Sequence, residues 1–180
     1  MNCSECKFSW IWSTWAKAPF MEGQEVLVAS ACLPLVNARL FEELSRGRVV
    51  LFACPERESG AYYGKIASMI RSTRPRRIVV VTIDGSPHCF ALQAAVNEAE
   101  YILGERVERE HYVVVDGVVL KRISANAIRV ARYLSVVDEV VEKNPEVLRE
   151  LEKHSKEYKL SLEFNREPRG EGCFSLHNYL

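Results

Sequence analysis

The chain has 180 residues, 24 basic against 24 acidic, with 27% charged residues overall. That length suits one domain, or one domain with an appendage, and can bury a sizeable core without disulfides. The balanced charge argues against a nucleic-acid surface, which carries a basic excess, and no apolar run approaches the length of a membrane span.

Residues 1–24 form a leader with Cys3-Ser-Glu-Cys6 and the tryptophans Trp10, Trp12 and Trp15. Glu5 and Lys7 interrupt it, and its aromatic stretch is unlike the smooth apolar core of a signal peptide. A cytoplasmic protein is therefore expected. In that compartment six cysteines (3, 6, 32, 54, 89 and 173) point to metal or redox chemistry rather than a disulfide framework. Intracellular proteins of hyperthermophiles are the exception, and the Arg, Glu and Val content suits such a thermophile source. The tryptophans suit a leader packed over its own domain, a dimer surface or a docking face for a redox partner.

Residues 25–31 read as a buried strand ending near Cys32. Pro34 opens a helix with Val36, Leu40 and Leu44 on one face. Residues 48–53 are a second strand, followed at once by Cys54. A helix is expected over about 60–73, capped by Ser59 and ended by Pro75. Residues 77–83 are a third strand. After it, "DGSPHC" turns on Gly85 and Pro87 and starts a helix over about 88–103. Leu92, Ala95, Val96, Ala99, Ile102 and Leu103 fall on its apolar stripe. Asp116-Gly117 between two β-branched runs predicts a hairpin. A long helix over 124–142 follows, with Ala127, Val130, Ala131, Leu134, Val137 and Val141 as its apolar face. Asn144-Pro145 starts a last helix over 145–158. Residues 161–180 have no period and read as an irregular tail.

Continuous apolar strands alternating with helices predict a three-layer, Rossmann-like α/β domain over 25–160. Its short, mainly parallel sheet has three or four strands, extended by a β-hairpin and C-terminal helices. Parallel strands end at one edge, where such sheets bind ligands. Cys32, Cys54 and Cys89 should meet there. With Cys6 or Cys3 they would make four soft thiolates, suited to a [4Fe–4S] iron–sulfur cluster or to tetrahedral zinc. Cys89 in the first turn of a helix gains from the helix dipole as a thiolate. His88 is a candidate ligand or tuning donor. Asp84, Gly85 and Ser86 form a second candidate, an anion nest for a small phosphate ligand. Thiol/disulfide redox chemistry is a further alternative. Cys173 and His177 are weaker ligand candidates. "GAYYGK" (60–65) fails the phosphate-loop pattern: three residues separate its glycines and Ile66 replaces the Ser or Thr.

Cys3-Ser-Glu-Cys6, the strand-end cysteines and "GSPHC" together resemble the small iron–sulfur delta subunits associated with hydrogenase and heterodisulfide reductase, over roughly residues 1–95. The resemblance implies an electron-transfer cluster serving a larger redox partner. The Cys-x-x-Cys here precedes the first predicted strand, and only Cys89 follows Gly85, where that family tends to have two cysteines. Catalytic residues do not follow from either reading.

Overall fold

The structure, a computed structural model, describes residues 8–58 and 62–166. Six strands form one sheet: β1 (Phe8–Trp10), β2 (Glu25–Ser30), β3 (Val49–Ala53), β4 (Arg77–Ile83), β5 (Arg109–Val115) and β6 (Val119–Ile123). Their order is β1-β3-β2-β4-β5-β6, with every pair parallel except β5 with β6. The Rossmann-like α/β architecture follows the sequence reading, with a wider sheet. The extra parallel strand is β1, inside the leader. It is three residues long and carries no period-2 signal long enough to detect.

The strands of the central sheet are apolar on both faces because helices cover both. On one face Leu27, Ala29, Val50, Val79 and Val81 pack with Leu33, Leu40, Phe41 and Leu44 of α1 (Leu33–Val36) and α2 (Ala38–Ser45). On the other, Val26, Val28, Leu51, Ile78 and Val80 meet α3 (Tyr62–Thr73) and α4 (Pro87–Leu103). The leader adds Ile11, Ala18 and Met21 to this second core. Trp10 lies beside Phe52 and under the Arg57 guanidinium, Trp12 beside Tyr62, and Trp15 is exposed. Residues 8–24 of the leader thus pack over their own domain.

Several expected elements are divided. The helix expected from Pro34 breaks at Asn37 (φ −152°, ψ 87°), whose side chain caps α2 by accepting from Leu40 N–H. Val36 is consequently exposed. The helix expected over 124–142 becomes α5 (Ala125–Val130) and α6 (Leu134–Lys143). Bonds from Arg132 N–H to Arg129 O and from Tyr133 N–H to Val130 O tighten the end of α5 into a 3-10 turn. Of this stretch Ile128 is buried, while Val130 and Leu134 are exposed. The last helix becomes α7 (Glu146–His154) and α8 (Lys156–Arg166), with Ser155 Oγ accepting from Tyr158 N–H. Asn144 turns back to Val140 O and does not cap α7. Helix α8 also occupies the start of the expected irregular tail.

The β5–β6 hairpin forms where predicted. Asp116 (φ 50°) and Gly117 (φ 75°) are both left-handed, and Val118 N–H bonds Val115 O, a type I′ turn. The described residues divide into two compact units, split between Glu139 and Val140. No helix among them is long and apolar enough to cross a membrane.

Candidate functional site

The C-terminal ends of β3, β2 and β4, adjacent in the sheet, carry the three predicted cysteines. Cys32 is the N-cap residue of α1 and is exposed, without a side-chain cap bond. Cys54 follows β3 directly and is half-buried, its N–H donating to Glu58 Oε2 at 3.2 Å. The Glu58 carboxylate also takes the Tyr62 hydroxyl, and burial together with that carboxylate pushes the Tyr62 phenol up. Cys89 is the third residue of α4 and is buried, its N–H donating to Ser86 Oγ at 3.3 Å. None of the three is in a disulfide. The topology brings them to one edge but sends their chains apart: α1 leaves to one face of the sheet and α4 to the other. Among the described residues no three His, Cys, Asp or Glu side chains form a group that could hold a metal ion. Cys3, Cys6, Cys173 and His177, like Ser59 and Gly60, lie outside the described residues.

The second predicted constellation is also at this edge. Gly85 sits at φ +74°, a backbone conformation that costs other residues, so its place reflects the turn itself. Ser86 caps α4. Asp84 is left exposed at the end of β4, its N–H continuing the sheet to Val114 O at 3.1 Å. His88 points elsewhere: its Nδ1 lies 3.6 Å from Glu56 Oε2 in the loop after β3.

Asp84, Gly85 and Ser86 instead line a cavity of about 380 Å³ between α4, α5 and the ends of β4 and β5. Its walls include Phe90, Val113 and Ile128, and Thr82 and Gln93 contribute polar atoms. Thr82 is buried and its Oγ1 accepts from Gln93 Nε2 at 3.0 Å. The same Nε2 donates to Tyr112 O at 2.8 Å. The Gln93 amide is thereby fixed in orientation, because a carbonyl oxygen only accepts. Its Oε1 faces His111 Nδ1 at 2.6 Å.

This polar run continues along α4. Asn97 Oδ1 accepts from Arg109 at 2.8 Å, and Glu100 pairs with Arg109 and with Arg129. The Arg109 guanidinium holds the Glu100 carboxyl below the usual carboxylate range. Burial pushes the His111 imidazole down to about 4, with Arg109 adding to the effect. Thr82, Gln93, His111 and Arg109 were absent from the sequence reading. A signal existed: Gln93, Asn97 and Glu100, spaced i, i+4 and i+7, put a polar line along a mostly apolar helix.

A family model for a Rossmann-like domain matches residues 18–168. An "Uncharacterized protein" of Archaeoglobus fulgidus is 30% identical over 120 residues, covering 64% of this chain and 84% of that relative. No solved structure matches the chain. A match of that extent, on a mainly parallel sheet covered by helices on both faces, places the chain in the Rossmann-like domain family.

Proposed function

We propose that the protein binds a small molecule in the cavity beyond β4, one with a flat apolar body and a polar edge that both donates and accepts, as a nucleoside has. The cavity carries this reading. At about 380 Å³ it falls in the range of small-molecule sites, and it lies at the sheet edge where open α/β folds bind ligands. Phe90, Val113 and Ile128 offer the apolar walls. The Thr82 hydroxyl, accepting from Gln93, keeps its own hydrogen to donate, while the Asp84 carboxylate accepts. A phosphate fits less well. Asp84 would repel it, Pro87 has no N–H, and the N–H groups of Cys89 and Phe90 are already turned back onto Ser86.

Thermal denaturation of the full chain with added adenosine, or with inorganic phosphate, tests this. Adenosine should raise Tm in a concentration-dependent way and phosphate should not. Asp84→Asn should weaken adenosine binding about tenfold, because the Asn oxygen still accepts but no longer carries a charge. Protection by phosphate that is indifferent to Asp84→Asn would defeat the proposal.

A second reading, a thiolate-bound iron–sulfur cluster or zinc site with a redox role, draws on the adjacency of the strands that end in Cys32, Cys54 and Cys89.

A further inference from the structure

A second cavity, of about 510 Å³, lies at the start of β5 and adjoins the first at Ile123. Two of its lining side chains are deeply buried and incompletely satisfied. His111 is 3% exposed and the Arg109 side chain 6%. Among the described residues, His111 Nε2 and Arg109 Nε have no hydrogen-bond partner. The rest of each group is engaged. Arg109 donates to Val107 O at 3.1 Å and to Asn97 Oδ1 at 2.8 Å, and pairs with Glu100.

The hydrogen bonds also decide what each orphan atom offers. Gln93 must present Oε1 to His111, because its Nε2 serves Tyr112 O and Thr82 Oγ1. His111 Nδ1 therefore carries the proton. Buried beside Arg109, the imidazole stays neutral near pH 7, so Nε2 is an acceptor. Arg109 Nε–H is a donor. An anion would satisfy Arg109 but meet the His111 lone pair. An ammonium would satisfy His111 but meet the Arg109 charge. A hydroxyl can do both, accepting with its oxygen and donating its hydrogen. The lining selects no net charge either: Arg109 faces Glu100, while Arg106–Glu108 and Arg122–Glu110 each stand at 3.7 Å. Leaving such buried groups unmatched is costly, which favours a partner there.

We propose that this cavity is a site for a neutral, hydroxyl-rich ligand, a sugar or polyol, read by His111 as acceptor and Arg109 as donor. The groups it uses differ from those of the cavity beyond β4, although Ile123 lines both and Gln93 links Thr82 to His111.

The test is NMR of the full chain with ¹⁵N-labelled histidine, following His111 during titration with myo-inositol, with sodium phosphate and with spermidine. Saturable movement of the His111 signals by myo-inositol alone is the expected result. Arg109→Lys, which keeps a cation beside Glu100 but removes Nε–H, should weaken that binding about tenfold. Asp84→Asn, in the other cavity, should leave it unchanged. A melting curve on each variant reports its folding. No movement with myo-inositol would overturn the proposal, leaving the two groups to a buried water. Movement by phosphate or spermidine instead would overturn it equally, as would myo-inositol binding that Asp84→Asn abolishes and Arg109→Lys leaves intact.

Discussion

His111 shows how much one residue can depend on its surroundings. In the folded chain it is neutral, its pKa lowered from 6.5 to about 4 by burial and by nearby arginines. In the unfolded chain it titrates normally. Between about pH 6.5 and 4 the unfolded state therefore binds more protons, so stability falls as pH is lowered through that window. The full effect is about 3 kcal/mol, lost by the acid end. Urea denaturation at pH 7 and pH 4.5 measures it. In His111→Phe the difference between the two pH values should shrink by about 2 kcal/mol, the part of the effect lost by pH 4.5, with the remaining slope due to carboxylates such as Glu25 and Glu100, whose pKa values are held low by arginines.

At the scale of elements, caps decide where helices begin and end. Asn37 ends one helical turn, starts α2, and donates from Nδ2 to Gly117 O at 3.2 Å, tying α2 to the hairpin tip. Gly117 is close-packed there: a Cβ at that position would lie 3.0 Å from Val36 Cγ1, on a backbone already at φ +75°. Asn37→Ala removes both bonds of one side chain and should cost about 1–2 kcal/mol in chemical denaturation. Asn37→Asp keeps the cap but loses the donor, so it should recover part of that cost. Equal losses in the two variants would show that the link to the hairpin, not the cap, carries the energy.

The central strands are also held by a charged strip at the opposite edge from the candidate cavity beyond β4. Glu25 of β2 takes Arg77 of β4 at 2.6 Å, Arg76 at 3.1 Å and Arg48 at 3.2 Å, and Arg77 also reaches Glu110 of β5 at 3.3 Å. One end of these strands is thus cross-linked by ion pairs, with Glu110 also lining the second cavity, while the other end carries the loops around the first. The thiolate reading belongs to this scale too, because it requires three strands and the leader together. Anaerobic purification of the full chain, a visible spectrum, and iron, sulfide and zinc analysis should settle it. A brown protein with stoichiometric iron and sulfide, lost in Cys54→Ser, is its expected outcome. Colourless protein with zinc would replace the cluster by a structural site, and metal-free protein would end the reading.

Some of this was written locally in the sequence. Apolar runs at 25–31, 48–53 and 77–83 are long enough to show strands buried on both faces, so the α/β class and the edge where those strands end were legible. The Asp116-Gly117 turn was legible because its chemistry is confined to two residues. Asp84, Gly85 and Ser86 fall between the end of β4 and the start of α4, which adjoin in the chain. What the tertiary structure decided lies between residues distant in sequence. The pairing of β1 on β3 is settled by the neighbour, not by three residues of leader. The direction in which each strand-end cysteine leaves the sheet depends on which face its crossover helix covers. The polar run from Thr82 through Gln93 to His111 and Arg109 joins two strands and a helix, and its meaning as donor or acceptor appears only once each partner has fixed the next.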